Sequence, residues 1–521
     1  MLTEFYEDRE IFVTGGSGVV GKALIEKLLR SCNVRKIYIL LRPKKDLSIE
    51  ERLEKVKKGM IFNQLKLQKP DELDKKLVPI PGDAVVPFLG ITPKYQKIME
   101  NVSIVFHCAA TVRFDEPLRD ALRVNVGGTL ETLKFAETLK HLKVFMHVST
   151  FFSNPYVEYV EEKVYESPMN WRFCLDLLNR KDISEEQLDV ITRKLIIGFP
   201  NTYCFTKNLA ESLVNDFKDK LPVGIYRPSV VLFAIEEPEP GFSPSLMGAM
   251  GLFVLAAAGI LKAIHIDRRT RLDLTPQDIG VKTLCYYAYK TAQLYKNKPD
   301  KIPVYIGSSC THSDLRFCQY IDIMEKYNLW LEAPFEKNFL IPGLYCTNNS
   351  FLYFILVLFQ HILPSLLADF GLMLSGRKPA LMRVHRKMFN TLEVLKPFLF
   401  NNYFSAGITD AQEMITTLKG TEFNLDIILA GNDYFKNVGF CFPMVHSIRK
   451  HLFKEDPKTL PRSRRILNIK IFIYNIIKIL LALHVFDKLA EYLRYFYAER
   501  LSEIFNTNIF CHNELQLVNY N

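Results

Sequence analysis

The amino-acid sequence predicts an α/β fold, and three observations support this prediction. A glycine-rich turn lies between an apolar run at residues 11–13 and a helical pattern that begins at Ala23. Further short apolar runs recur along the first half of the chain, and helical patterns separate most of them, as crossovers between parallel strands require. Two long apolar stretches lie in the last third. We therefore expect a Rossmann-type, doubly wound parallel sheet followed by a mostly helical, membrane-associated C-terminal domain.

The glycine-rich turn has the spacing G-x-x-G-x-x-G, formed by Gly15, Gly18 and Gly21. Backbone N–H groups can approach a pyrophosphate only where side chains are absent, and a helix N-terminus adds about half a positive charge at that point. Because the turn lies between a strand and a helix, we expect it to bind the pyrophosphate of a dinucleotide. Without that context the glycines would be equally typical of a tight turn.

The second apolar run, residues 36–41, ends at Arg42, and Lys44 and Lys45 follow. A site for NAD usually has Asp or Glu near this point for the ribose hydroxyls, whereas a cation suits the 2′-phosphate of NADP. The sequence therefore favours NADPH as the cofactor. The alternative is that the three cations form a solvated basic turn.

Four further apolar runs, which begin at Leu77, Ser103, Val144 and Val223, continue the predicted sheet. Ligands of such sheets bind at the carboxyl ends of the strands, so the residues after each run are candidates for the site. The candidates are Asp83, Ala109, Ala110, Ser149 and Thr150.

A Tyr-x-x-x-Lys pair, Tyr203 and Lys207, lies in a helix-compatible stretch between the fifth and sixth runs. A carbonyl that accepts hydride develops negative charge on oxygen, so catalysis needs a hydrogen-bond donor that also delivers a proton. We expect Tyr203 to be this donor, with Lys207 lowering the tyrosine pKa and holding the nicotinamide ribose. Thr150, rather than Ser149, is expected to complete the oxyanion contact, because strand alternation directs adjacent residues to opposite sides. The order of these elements predicts a nicotinamide-dependent oxidoreductase.

The motifs resemble those of the extended short-chain dehydrogenase/reductase group and, within it, the fatty acyl-CoA reductases. The matching runs are residues 27–32, 41–45, 107–118, 125–129, 147–150, 200–203 and 226–230. Matches at residues 361–364, 374–379 and 454–456 extend the resemblance over almost the whole chain.

The resemblance implies NADPH-dependent reduction of long-chain fatty acyl-CoA to a primary alcohol, with release of coenzyme A. It implies cofactor contacts from Gly15, Gly18, Gly21, Arg42 (2′-phosphate), Asp83 (adenine), Ala109, Ala110, Asn125, Tyr203 and Lys207. Asn125 would support the active-site backbone or a proton relay, and Thr150, Tyr203 and Lys207 would be catalytic.

Three departures from the family pattern bear on acyl-chain preference rather than on the reaction. Residues 241–248 lack an expected Asp-Asn pair, Phe151 and Phe152 replace a small residue followed by tyrosine, and His385 replaces a tyrosine.

Two other functions stay open. An extended dehydrogenase acting on a sterol or sugar-nucleotide would lack the C-terminal matches, and an idle lipid-binding scaffold would not need the catalytic side chains.

Composition argues against several other classes of protein. The formal net charge of +10 is not concentrated in a basic helix or an aromatic-interleaved patch, so an anionic coenzyme or a membrane surface is a better match than nucleic acid. The ten cysteines show no C-x-x-C spacing, which argues against a zinc site or a disulfide scaffold and favours a reducing compartment.

We expect the following organisation, which the chain length permits. Residues 1–300 form the reductase domain, with its substrate-binding part at about 227–300, and 301–350 form a connecting segment. Residues 351–465 form the C-terminal domain, 466–486 a transmembrane helix and 487–521 a tail.

The basic residues favour a single membrane span. If 351–374 crossed as well as 466–486, the region Ser375 to Arg465 would be lumenal with fifteen Lys and Arg against eight Asp and Glu, against the usual cytosolic bias of basic loops. Residues 351–374 would then be a monotopic element or the wall of a lipid-entry site, although either stretch has a buried helix as its alternative. The sequence ends in neither a Lys-Asp-Glu-Leu-type nor a Ser-Lys-Leu signal, and we expect the endoplasmic reticulum rather than the peroxisomal membrane. The catalytic domain is expected to be cytosolic.

Overall fold

The computed structural model describes residues 1–43, 47–180, 182–243, 245, 248–271, 273–308, 314–400, 404–405, 407, 409–426 and 438–517. Lys44 and Lys45 of the predicted basic turn lie outside the described residues. So do three residues of the departure at 241–248, namely Pro244, Leu246 and Met247.

Within the described part of the chain, seven parallel strands form the central sheet. They are β1 (Glu10–Thr14), β2 (Lys36–Leu41), β3 (Leu77–Pro81), β4 (Val102–His107), β5 (Val144–Val148), β6 (Val223–Pro228) and β7 (Val304–Gly307). Their spatial order is β7-β6-β5-β4-β1-β2-β3, and every pairing is parallel. The winding direction therefore reverses between β1 and β4, which confirms the predicted doubly wound sheet.

Helices cover both faces of the sheet. The helices α1 (Val19–Ser31) and α4 (Gln277–Leu294) pack together, and α2 (Gly128–Ala136) packs with α3 (Thr202–Asn215). The side of the sheet that carries Phe12 and Phe145 packs against Leu133 of α2 and Leu209 of α3. Because both faces are covered, β1 and β4 to β6 are buried along their length, as parallel strands require.

The strand β7 was not among the strands predicted from the sequence. It has only four residues and pairs with β6 at the end of the sheet. It begins four residues after the boundary expected at residue 300, so the sheet draws on residues from both sides of that position. The apolar run is too short to distinguish from a buried loop by sequence alone.

In the C-terminal region, α5 (Ser350–Leu374) and α6 (Leu381–Phe400) lie side by side. The Asp369 carboxylate of α5 accepts hydrogen bonds from the backbone N–H groups of Ala380, Leu381 and Met382, at 2.8–2.9 Å. These N–H groups have no partner within α6, so Asp369 acts as its N-terminal cap.

Shorter helices complete the first compact unit, Met1–Thr459. They are Leu2–Tyr6, Ile49–Lys57, Asn63–Gln68, Glu72–Lys76, Pro93–Ile98, Leu118–Ala121, Trp171–Asn179, Glu185–Leu195, Ala249–Ala257, Phe317–Lys326, Leu329–Glu332, Ala411–Leu418 and Val438–Ser447. Short parallel strand pairs join 159–160 with 404–405, 230–231 with 274–275, and 263–265 with 345–347.

The second unit, Leu460–Asn521, consists in its described residues of one long helix, α7 (Leu460–Leu517). Among the described residues, two helical segments are long and apolar enough to cross a membrane, Ser350–Leu374 and Pro457–Leu501. The second contains the predicted span 466–486, and both segments are largely exposed.

Candidate active site

The glycine turn lies at the switch point of the sheet, between the carboxyl ends of β1 and β4. Gly15 has a φ of +72°, and a Cβ atom there would lie 2.6 Å from the backbone nitrogen of Ala109. A Cβ atom on Gly21 would lie 2.3 Å from the Gly15 carbonyl oxygen, which also accepts the Gly18 N–H at 2.9 Å. Only glycine fits at positions 15 and 21, because a Cβ atom would collide with the backbone of the turn itself or of the segment after β4. This tight turn lies at the crevice where such sheets bind dinucleotides.

Arg42 and Asp83 meet at the carboxyl ends of the neighbouring strands β2 and β3. Arg42 Nε lies 3.8 Å from an Asp83 carboxylate oxygen. The Arg42 side chain is 63% exposed, so this weak ion pair does not prevent it from turning toward an anionic ligand. The structure thus places both predicted cofactor residues at the same edge of the crevice.

Tyr203 and Thr150 come together although they are far apart in sequence. Asn201 caps α3 by accepting the Cys204 N–H at 2.9 Å, and this cap places Tyr203 in the first turn of the helix. Burial raises the pKa of Tyr203 above its ordinary value, and a hydrogen bond from the Thr150 side chain acts in the opposite direction. Tyr203 is therefore protonated at neutral pH, which is the form that can deliver a proton.

Lys207 binds the carboxyl end of β5. Its Nζ donates a 2.8 Å hydrogen bond to the Val148 carbonyl at the end of β5. Burial lowers the pKa of Lys207 to about 8, with Cys108 and Glu211 opposing the shift. Lys207 is not among the causes of the Tyr203 pKa shift, of which burial is the largest, so its expected lowering of this pKa stays a prediction.

Asn125 lies in a π-helical turn, Leu122–Gly127, that leads into α2. Its side chain accepts the Thr111 N–H at 2.9 Å and donates to the Thr111 carbonyl at 3.2 Å. It also donates to the Thr206 hydroxyl at 3.0 Å, next to Lys207 on α3. Asn125 therefore joins the loop after β4 to the helix that carries Tyr203.

A directed hydrogen-bond chain, which the sequence did not reveal, connects the glycine turn to Asn125. Burial lowers the pKa of His107 to about 3, so the ring is neutral and has one N–H. The Thr129 hydroxyl already donates to the Asn125 carbonyl, so His107 Nε2 must donate to Thr129, at 3.0 Å. Nδ1 then accepts from Thr14 Oγ1 at 2.7 Å, and this oxygen accepts the Ala109 N–H at 3.4 Å.

A second group missed from the sequence holds the strand end that carries Thr150. The Glu211 carboxylate, one turn after Lys207 on α3, forms a fully buried ion pair with Arg227 of β6 at 2.6 Å. It also accepts the hydroxyls of Ser149 at 2.5 Å and Ser153 at 2.8 Å. Ser149 is thus directed toward Glu211 and Thr150 toward Tyr203, the division expected from strand alternation.

Comparison with known proteins identifies the family. The family model described as male sterility protein, an NAD-binding domain, matches residues 13–284, more than half of the chain. Human fatty acyl-CoA reductase 1 is 32% identical over 473 residues, which cover 90% of this chain and 89% of that protein. The chain belongs to the fatty acyl-CoA reductase family. Another member, fatty acyl-CoA reductase wat of Drosophila melanogaster, is 32% identical over 484 residues, covering 92% and 91% of the two chains.

Solved structures show that this fatty acyl-CoA reductase shares its fold with reductase domains of peptide and polyketide synthesis. The terminal reductase domain of the myxalamid pathway has a TM-score of 0.55 at 18% identity, covering 86% of this chain and 92% of that one. The reductase domain of a nonribosomal peptide synthetase from Mycobacterium tuberculosis has a TM-score of 0.53 at 17% identity, with 85% and 92% covered. The nicotinamide cofactor is supported by the family model, which is that of an NAD-binding domain.

The Glu211–Arg227 pair leads to a prediction about stability. Burial alone would raise the pKa of Glu211, but Arg227 and the two serine hydroxyls lower it below its ordinary value of 4.5. The charged carboxylate therefore contributes stability above pH 4.5, and this contribution is lost as the pH falls through the lowered folded value. Glu211→Gln should reduce the free energy of unfolding by about 3–5 kcal/mol at neutral pH, because Arg227 is left buried without its partner.

Unfolding of the full chain in detergent, followed from neutral pH to below 4.5, measures this difference and its decline with acid. Glu54→Gln is the matched control, because Glu54 is an exposed partner of Lys57. A loss in Glu211→Gln no larger than that of the control would contradict the prediction.

Proposed function

We propose that the protein reduces long-chain fatty acyl-CoA to a primary alcohol at a membrane surface, with NADPH as cofactor. The observation that carries the proposal is the hydrogen bond between Thr150 and Tyr203, with Lys207 bound to the nearby Val148 carbonyl, in a chain whose relatives are fatty acyl-CoA reductases. Sterol and sugar-nucleotide substrates are not favoured, since the relatives match along about nine-tenths of the chain.

The glycine turn fits a dinucleotide, because its glycines allow a tight turn at the switch point of the sheet, directly before the N-terminus of α1. Arg42 would contact the 2′-phosphate and Asp83 the adenine, while Ala109 and Ala110 line the cofactor and Lys207 holds the ribose. Arg42 also supports the choice of NADPH over NADH, since its guanidinium is exposed at the end of β2. NADPH would supply one hydride in each of the two reductions, so two NADPH molecules would be oxidised for each alcohol formed.

The chain's own residues would act on the oxygen of the substrate. Thr150 and Tyr203 donate hydrogen bonds to the oxyanion that develops at the thioester carbonyl, and the thiolate of coenzyme A then leaves. In the second reduction Tyr203 delivers its proton to the oxygen of the aldehyde as the alcohol forms. Lys207 and Asn125 hold Val148, Thr111 and Thr206 around this point.

The two apolar helices support a membrane location: the surface of α5 suits a contact on one side of the membrane, and residues 466–486 suit a span. The outward side of α5 is apolar, whereas its buried residues are the polar His361, Ser365 and Asp369. A helix that binds its own protein through polar groups and exposes Phe351, Phe354 and Phe370 suits a monotopic contact with lipid. We assign the single span to residues 466–486 and the compartment to the endoplasmic reticulum, with the peroxisomal membrane as the alternative.

Purified full-length protein in detergent, incubated with NADPH and palmitoyl-CoA, should form hexadecanol that mass spectrometry detects. Absence of both alcohol and aldehyde, with NADPH bound, would contradict the proposal and favour a lipid-binding scaffold.

Tyr203→Phe tests proton delivery. We expect turnover to fall by roughly 10²-fold or more, because the proton donor is removed, while NADPH affinity stays within a few-fold. Rates of alcohol formation measure this effect, and Tyr327→Phe on an exposed surface is the control. Near-normal turnover in Tyr203→Phe would remove this hydroxyl from the mechanism.

Arg42→Ala tests the choice of cofactor. Loss of a charged contact to the 2′-phosphate should weaken NADPH binding by roughly tenfold or more and leave NADH binding nearly unchanged. Fluorescence titration of each cofactor measures the two affinities. The control is Arg35→Ala, just before the amino end of β2, and equal losses for both cofactors in Arg42→Ala would show that Arg42 does not read the phosphate.

Truncation after Arg465 tests the membrane span. The full chain should resist extraction from membranes by alkaline carbonate. The truncated chain should be released, because α5 would bind the membrane surface without crossing it. In sealed microsomes a tag placed after Asn521 should be protected from protease. Digestion of that tag without detergent would rule out a single span and indicate that 466–486 lies in the interface.

A further inference from the structure

An aromatic cluster extends from Tyr203 to the C-terminal end of α6. The Phe114 ring lies 5.7 Å from the Tyr203 ring and 5.2 Å from the Phe398 ring, measured between centroids. Phe398 in turn meets Phe152 edge to face at 5.2 Å. The loop after β4, the turn after β5 and α6 each contribute one phenylalanine, so three distant segments form one apolar wall beside the reacting hydroxyl.

The wall is not simply part of the protein core. Phe114, Phe152 and Phe398 are all only partly buried. Phe12 and Phe145, on strands of the central sheet, are instead fully buried. Partly exposed phenylalanine rings next to a polar catalytic group are a usual feature of ligand sites, where apolar lining surrounds a few polar groups. The wall therefore suits an apolar part of the substrate.

The position of Phe398 is fixed from two sides. The Leu399 carbonyl at the end of α6 accepts the Asp267 N–H at 3.0 Å and the Thr270 hydroxyl at 2.7 Å. At the other end of α6, Asp369 caps the helix. Phe398 is thus held in place by bonds that do not involve the wall.

The end of α6 that carries Phe398 also lies near the start of the lipid-facing helix α5. His265 stacks on Tyr353 of α5 at 5.2 Å and meets Phe400 of α6 at 4.7 Å. Phe400 is two residues from Phe398 and lies on nearly the opposite side of α6, so the amino end of α5 is close to this end of α6 on the side away from the wall.

We propose that Phe114, Phe152 and Phe398 form the subsite for the acyl chain, with Phe398 as a residue that determines chain-length specificity. This inference rests on the proposed function and adds the binding site of the chain. The carbons next to the thioester lie against Phe114, and the more distant carbons lie against Phe398 and Phe152. A short acyl group ends before it reaches Phe398.

The variant Phe398→Ala, with Phe398→Leu as a milder change, tests the subsite. We expect kcat/KM for palmitoyl-CoA to fall by about tenfold or more in Phe398→Ala, with butyryl-CoA affected less than about threefold, since only the long chain loses its apolar contact with the phenylalanine ring. Phe398→Leu should show a smaller loss with the same dependence on chain length. Rates over a series from butyryl- to palmitoyl-CoA measure this.

Phe400→Leu is the matched control, because Phe400 lies on the same helix but packs against His265. Its chain-length profile should equal that of the wild-type protein. A loss in the Phe398 variants that is equal for all chain lengths, or no loss at all, would overturn the subsite.

A second measurement requires neither folding of the variants nor turnover. Palmitoyl-CoA with a photoreactive diazirine in the middle of its chain should label peptides that contain Phe398, Phe152 or Phe114 in the wild-type protein. Labelling that excludes all three peptides would overturn the subsite even if alcohol is formed. Labelling of these peptides by a protein that forms no alcohol would instead support the subsite and contradict the proposed reaction.

Discussion

The buried ion pair between Glu211 and Arg227 is the constraint on which the arrangement of the site depends. Both side chains are almost fully removed from water, so each would be very costly without the other. The remaining bonds of the Arg227 guanidinium go to the carbonyls of Glu161 and Lys163. The ion pair therefore holds α3 against β6. Its further hydrogen bonds also hold the turn after β5, which carries Ser149 and Ser153, and the loop that follows this turn.

The geometry of Thr150 and Tyr203 follows from this constraint. Glu211 lies on the same helix as Tyr203 and binds the hydroxyl of Ser149, the residue directly before Thr150. When Ser149 is held on one side of the strand end, Thr150 is directed to the other, where Tyr203 lies. A single carboxylate thus sets the distance between two groups that would act on the same substrate oxygen.

A chain of buried, neutral polar groups connects the glycine turn with the segment of Asn125, which binds α3. His107 is buried and uncharged, and its two nitrogens have opposite roles, so the bonds from Ala109 to Asn125 run in one direction. Such a chain satisfies every group without burying a charge, which would be costly between two packed helices and a sheet. The glycine turn and the Tyr203 helix are therefore parts of one rigid unit rather than separate motifs.

The C-terminal region adds two features that a soluble Rossmann domain does not need. The helix α5 has its polar residues inside and its apolar residues outside, which reverses the usual pattern of a surface helix. The helix α6 then extends from a cap on α5 to the aromatic rings beside Tyr203. These two helices provide a continuous structural connection between an exposed apolar surface and the aromatic rings beside Tyr203.

The sequence alone predicted a doubly wound parallel sheet, six of its seven described strands and the candidate residues of the site, because these have local patterns. Glycine spacing, apolar runs and Tyr-x-x-x-Lys are all contained in short windows, and β1 to β6 lie where those patterns predict them. Only the tertiary structure decided the pKa of Tyr203, since burial depends on elements from the whole first unit. It also decided the pairing of Glu211 with Arg227, the His107 chain and the approach of Phe398 to Phe114. Such contacts join residues from different strands and helices that are far apart in sequence. Their contribution to stability depends on removal from water, which only the packed fold provides.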